Sequence, residues 1–220
     1  MLIKELRLQS TNILDLFSFY KDEMELNVIQ SGSGITITAG ETKLIFEKSS
    51  GNENPFYHFA FNIPSNKFQE AYEWAKTKVD LLWLDDYKGH IADFKNWHAK
   101  SFYFKDPEGN ILEMISRFDL NNNVDENFSA SQINSVSEIG VVFPVDTFDE
   151  DVKKMMKEYS LDYFDKQQPL EHFRAIGNDE GLFIVVPENR VWFSTDVEAK
   201  IFKTEVTFIN KNKLHKLELL

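Results

Sequence analysis

The chain has no cysteine among its 220 residues, which excludes disulfides, thiolate metal ligands and a cysteine nucleophile. Any metal must then be held by histidine, carboxylate or water. The absence of cysteine suits a reducing compartment but also many exported proteins, so it fixes no location by itself. Basic charge is the second shortage. Lys and Arg number 24 against 36 Asp and Glu, a formal net charge of -12, and no run of Lys or Arg concentrates what there is. A surface of that sign repels phosphate backbones and anionic lipid, which argues against nucleic acid and membrane surfaces as partners. The opening residues MLIKELRLQS alternate aliphatic and polar groups, the pattern of a strand rather than the apolar core of a signal peptide. A cytoplasmic location is the default expectation.

What is present is apolar and aromatic. With 42% hydrophobic and 14% aromatic residues the chain can bury a core of its own, as one large domain or two modest ones. The stretch SFYFKDPEGNILEMIS, Ser101 to Ser116, reads as a complete β-hairpin. Its first strand alternates, Asp106 to Gly109 is a type I turn, and its return strand sets Ile111, Glu113 and Ile115 on the face opposite Leu112 and Met114. Glu113 is an acid in an otherwise apolar strand, and such a group is buried only with a partner or a metal.

One unit of strand, helix and antiparallel strands recurs along the chain. It starts at Ile3 to Gln9, with Thr11 or Asn12 capping a helix of stripe Ile13, Leu16, Phe17, Tyr20 and Met24, followed by strands at Glu25 to Gln30, Ile35 to Thr38 and Thr42 to Glu47. After the linker SSGNENP it starts again at Phe56 to Ile63, with Ser65 as helix cap, a strand at Leu81 to Leu84, a long aromatic loop from Asp85 to Trp97 and the hairpin. A third start at Val136 to Phe143 has Thr147 and Glu150 as a capping box and strands at Leu161 to Phe164, His172 to Ile176 and Leu182 to Val186. The strand KTEVTFI, Lys203 to Ile209, begins a fourth unit or simply adds an edge. The expected organisation is a domain of two closed units over 1–118, a linker over 119–134, and a third unit with one extra strand over 135–220. Trp192, Phe193 and the first domain, or a second subunit in a homodimer, would cover the half-cup that the missing unit leaves.

Repeated βαβββ units, FYHFAFNIP in the second unit's first strand and F-Y-x-x-D-P-x-G-N-x-x-E in the hairpin resemble the vicinal oxygen chelate superfamily. That group holds glyoxalase I, extradiol dioxygenases, methylmalonyl-CoA epimerase, fosfomycin-resistance thiol transferases and bleomycin-binding proteins. The resemblance implies an α+β fold with a cupped mixed sheet built from two paired units, a third unit being added here. It also implies metal positions in the middle of each first strand and at the acid of the final strand, which here are Glu5, His58 and Glu113. Alternation supports this independently: Glu5 with Arg7 and Gln9, and His58 with Ala60 and Asn62, lie opposite the aliphatic and aromatic residues of their strands. Two carboxylates and an imidazole suit a divalent ion such as Mn, Fe, Ni, Zn or Mg. Glu5 departs from the histidine usual at that position in the dioxygenases and thiol transferases, which disfavours an iron site of two histidines and one carboxylate.

The same resemblance places Ser101 and Tyr103 where fosfomycin-type relatives contact anionic groups, so Tyr103, Glu113 and Glu5 are the candidate catalytic groups. Arg7, Ser101, Tyr103 and Trp97 are the candidate substrate contacts. Glu47, His90 and His98 are weaker candidates, and the third unit, with Glu138 but no acid in LFIVV, is expected to hold no metal. Two classes of function follow: a metal-dependent enzyme acting on a small oxygen-chelating substrate by lyase, isomerase or transferase chemistry, or a metal-free small-molecule binding protein of the bleomycin-resistance type.

Overall fold

The computed structural model describes residues 1–49, 51, 53–193 and 195–219; positions 50 and 52 of the expected linker lie outside the described residues. The first unit runs β1 (Leu2–Ser10), α1 (Ile13–Ser18), β2 (Asn27–Ser31), β3 (Gly34–Ala39) and β4 (Thr42–Lys48). The Asn12 side chain caps α1 by accepting from the Asp15 amide at 3.3 Å, and a wider turn then carries the helical path through Glu23. That path buries Ile13, Leu16, Tyr20 and Met24 of the expected stripe and leaves Phe17 half-buried against the same core.

The second unit runs β5 (His58–Ile63), α2 (Phe68–Lys76), β6 (Ala92–Phe94), β7 (Ala99–Lys105) and β8 (Ile111–Arg117). The third runs β9 (Ser135–Phe143), α3 (Phe148–Tyr159), β10 (Arg174–Asn178) and β11 (Gly181–Pro187). In every unit the last strand lies parallel to the first and antiparallel to the strand before it, so one strand order is used three times. Two expected caps are corrected. Ser65 stands before the helix start and its hydroxyl bonds Asn123 Oδ1 at 2.7 Å, and Thr147 bonds the Asp151 side chain at 2.6 Å instead of a backbone amide. The strands expected at Leu81 to Leu84 and Leu161 to Phe164 shrink to isolated bridges, such as Leu81 to Phe104 and Tyr163 to Ile176.

The pairing of units differs from the expectation. Units one and two do not close on each other: β5 takes β9 of the third unit as its antiparallel neighbour, giving a seven-stranded sheet in the order β10-β11-β9-β5-β8-β7-β6. The first strand of unit one instead takes β12 (Thr204–Asn210), which continues as a hairpin into β13 (Lys213–Leu219), completing a six-stranded sheet β13-β12-β1-β4-β3-β2. The tail is thus a two-stranded fourth unit on the six-stranded sheet, not a single strand on unit three. Residues 119–134 join two halves of one sheet and are tied to unit two, Phe128 donating to Glu70 at 2.8 Å and Asn134 to the Asn62 carbonyl at 2.8 Å. They are not a linker between separate domains.

The apolar faces of both sheets and the stripes of the three helices share one core, with Phe46 of β4 lying 6.5 Å from Phe59 of β5 between ring centroids. The opposite face of the six-stranded sheet is a set of ion pairs. Arg7 meets Glu5 at 2.9 Å, and Glu205 meets Lys203 at 3.0 Å and Lys216 at 3.1 Å. Such a face is stable in water without a lid.

Candidate metal centre

The outward face of the seven-stranded sheet curls into a cup, and strand register decides what meets inside it. One row across the sheet reads Glu138 on β9, Ala60 on β5, Glu113 on β8 and Tyr103 on β7. Ala60 is the small residue between the two acids, so their side chains lean toward each other above its methyl group. His58, two residues earlier on β5, shares that face. A bulge in β9 aims Glu138: the register with β5 slips by one residue between Glu138 and Val136, so Val136 and Ile139 both enter the core while Glu138 enters the cup. Gly140 leaves room for Trp192, because a Cβ there would stand 2.6 Å from Trp192 Cη2. The indole ring packs 5.3 Å from the His58 ring between centroids.

His58, Glu113 and Glu138 each offer one ligand atom, and these atoms lie within 4.8 Å of one another. All three residues are buried. His58 Nδ1 lies 3.1 Å from the carbonyl oxygen of Ile111, which can only accept, so Nδ1 carries the proton and Nε2 presents its lone pair. Burial drives the imidazole down to a pKa of about 4, the Ile111 contact opposing this and the charge of Arg190 assisting it, so the ring is neutral at pH 7. Its lone pair faces Glu113 Oε2 at 3.8 Å and Glu138 Oε2 at 4.0 Å. Three acceptors converge with no donor between them. Burial, and then the charge of Glu138, push Glu113 up to about 8, and burial raises Glu138 against the pull of Arg117. Glu113 Oε1 is buried without any hydrogen-bond partner.

Arg117 modifies this set from below. It is fully buried, and its guanidinium bonds Glu138 Oε1 while Glu138 Oε2 remains on the histidine side. With both carboxylates ionised, the guanidinium and the neutral imidazole leave one net negative charge. The donor types and that charge fit a divalent cation held by one nitrogen and carboxylate oxygens. Farther out, Asp179, Lys166 and Asp119 continue the charged chain toward the surface, with Lys166 2.6 Å from Asp179 and 2.8 Å from Asp119.

The cluster forms the floor of a cavity of about 180 Å³. Tyr103, Ile111 and Ile184 rise from the sheet, Phe94 ends β6, Trp97 stands in the turn between β6 and β7, and Arg190, Trp192 and Phe193 come from the connection between β11 and β12. Trp97 Nε1 donates to Gln167 Oε1 at 3.1 Å, which ties the first aromatic flap to the third unit. Burial and the neighbouring Glu113 raise Tyr103 well above its usual value, so the phenol keeps its proton.

Of the residues expected to form the site, His58, Glu113, Tyr103 and Trp97 meet in this cavity. Ser101 is buried on β7, its hydroxyl without a hydrogen-bond partner. Glu5 and Arg7 do not join them. They lie on β1 in the other sheet, bonded to each other, and Glu47 pairs with Arg7 there too. The place assigned to Glu5 is held by Glu138 of the third unit, so that unit offers a carboxylate to the cluster. Its last strand supplies Ile184 to the cavity wall, as the absence of acid in LFIVV implies. His90 Nδ1 donates to the Leu82 carbonyl at 2.9 Å, and His98 pairs with Asp119 on the surface; neither lines the cavity. Glu138 was legible as the counterpart of His58 in the third repeat. Arg117 continues the Glu113 face of its strand, whereas Arg190, Phe173 and Gln167 carried no periodic signal.

No protein-family model matches the chain. Over 113 residues it is 30% identical to the metallothiol transferase FosB of Staphylococcus haemolyticus (strain JCSC1435), covering 47% of this chain and 75% of that protein. It is 29% identical over the same length and shares to the metallothiol transferase FosB of Staphylococcus epidermidis. Among solved structures, a Bacillus subtilis subsp. subtilis str. 168 protein assigned as a dioxygenase superposes with a TM-score of 0.59 at 12% identity, covering 84% of this chain and 63% of that one. Glyoxalase I from Zea mays superposes with a TM-score of 0.54 at 10% identity, covering 84% and 66%. Both superpositions reach well beyond two units, as four-unit pairing requires. Among the described residues no helix is long and apolar enough to cross a membrane.

Proposed function

The chain belongs to the vicinal oxygen chelate superfamily, and from that premise we propose that it is a divalent-metal-dependent enzyme acting on a small substrate that chelates through oxygen. His58, Glu113 and Glu138 would hold the cation. The observation that carries this reading is the convergence of three buried acceptors, the His58 lone pair among them, with no donor between them. Without a cation such an arrangement favours a protonated acid, as the raised Glu113 shows. A divalent ion bound there supplies Lewis-acid stabilisation to a developing enolate or alkoxide oxygen.

The chain's own groups do the rest. The Ile111 carbonyl fixes the His58 tautomer, and Arg117 holds one oxygen of Glu138 so that the other stays in the cup. Tyr103, un-ionised on the cavity wall, donates a hydrogen bond or a proton to a substrate oxygen. Trp97, Trp192 and Phe193 exclude water from the reacting end. Lyase, isomerase and transferase reactions all fit this equipment, and the name metallothiol transferase borne by the relatives supports the transferase branch.

The aromatic walls favour a second reading, a metal-free binding protein that sequesters a flat compound in the same cavity. Elemental analysis of freshly purified protein for Mn, Fe, Ni, Zn and Mg separates the two. The enzyme reading expects close to one equivalent of one metal, and protein that stays metal-free after incubation with each ion supports sequestration.

A further inference from the structure

Three of the chain's four arginines are matched to carboxylates: Arg7 to Glu5 and Glu47, Arg117 to Glu138, and Arg174 to Asp149. Arg190 meets no carboxylate among the described residues. Its Nη1 reaches the carbonyl oxygen of Val191 at 3.3 Å, and its guanidinium carbon lies 5.4 Å from the centroid of the Phe173 ring. This cation is half-buried and lines the same cavity as the cluster. In a chain of net charge -12, an arginine held against an aromatic ring without a carboxylate partner among the described residues is placed for something other than an internal ion pair.

We infer that Arg190 is the anion-recognising group of this cavity, and that the substrate is a small aromatic or planar carboxylic acid. Its carboxylate would lie on the guanidinium fork and its apolar body against Trp97, Trp192 and Phe193. The rest of the cavity supports this division. Its other charged groups, Glu113 and Glu138, would repel an anion, so an acid that enters must be oriented with its charge at Arg190 and its other polar end toward the cluster. The inference names the substrate class for the site proposed above and rests on that cavity being the substrate site.

Benzoate and its neutral isostere benzamide test it. Both are titrated into the full chain, wild type, R190Q and R190K, and binding is followed by quenching of the cavity tryptophans. The titrations are run first in EDTA and then after Mn²⁺ loading, with Mn²⁺ stoichiometry measured separately. Wild type should bind benzoate at least about tenfold more tightly than benzamide, the scale of one charge-assisted hydrogen-bonded contact. R190Q should lose that preference while keeping benzamide affinity and Mn²⁺ stoichiometry, and R190K should regain some of it. A wild type without benzoate preference, including one that binds neither probe, overturns the inference, as does an R190Q that keeps the preference. If Mn²⁺ fails to bind while the Arg190-dependent preference is present, the metalloenzyme reading falls and this inference stands. If Mn²⁺ binds and the preference is absent, only this inference falls.

Discussion

The two sheets carry the same kind of strand in the same kind of unit, yet their polar faces have opposite characters. On the six-stranded sheet, Glu5 has 32% of its side chain exposed and is bonded to Arg7, also 31% exposed. On the seven-stranded sheet, Glu138 sits at 3% and Arg117 at 0%. The first face has no complete second unit opposite β1, because the tail supplies only a hairpin, so it stays open and its charges pair in water. The second face is curled by two whole units and roofed by two aromatic flaps. A carboxylate at the middle of a first strand is therefore a potential ligand only where units pair into a closed cup, and residue type alone does not confer that capacity.

The largest expected effect separates the two arginines. R117A should lose about 3–5 kcal/mol in urea unfolding, because it leaves Glu138 buried without its partner. R7A, which breaks partly exposed pairs, should lose no more than about 1 kcal/mol. Equal losses would erase the distinction drawn between the faces.

Next in size is G140A. A methyl group 2.6 Å from Trp192 Cη2 and 3.3 Å from the His58 carbonyl must displace the ring that seals the cup. A loss of about 1–3 kcal/mol is expected, with a shifted tryptophan emission maximum. Unchanged stability and emission would show that Trp192 does not depend on that gap.

The pH dependence of the metal-free protein sharpens the contrast further. Glu113 is raised to about 8, so between its unfolded value near 4.5 and 8 the folded state holds the extra proton and stability falls as pH rises. His58 is lowered to about 4, so between 4 and its unfolded value of 6.5 the unfolded state holds the extra proton and stability rises. The two oppose each other up to pH 6.5, which leaves a net loss of about 1–2 kcal/mol between pH 6.5 and 8. Urea unfolding in EDTA should show this slope in wild type and lose it in E113Q. A slope that survives in E113Q would place its source elsewhere.

The hairpin was readable because everything that makes it is local. Gly109 takes φ +84°, and the Asp106 carboxylate accepts from the Glu108 and Asn110 amides at 3.1 and 3.0 Å, all within five residues. Alternation likewise placed His58 and Glu113 on one face. The choice of partner unit was not readable. β5 could accept β1 or β9 on pattern alone, and the contact that decides the site, Ala60 to Glu138, spans more than a whole unit and includes a one-residue bulge that alternation does not encode. Arg190 lies in a connection without period, so only the folded chain shows that it lines the cavity, whereas Trp192 and Phe193 of the same connection were expected over an open half-cup and do line it. The caps failed for a related reason: Ser65 and Thr147 had other side chains within reach, and those took their hydroxyls.

The most direct test of the central claim is metal stoichiometry in two matched variants, E138Q and E5Q, loaded with Mn²⁺ under the same conditions as wild type. Both change one carboxylate to an amide at the middle of a unit's first strand. The pairing of units described here predicts close to one equivalent in wild type and in E5Q, and loss of stoichiometric binding in E138Q. Retention of metal by E138Q together with its loss in E5Q would contradict it.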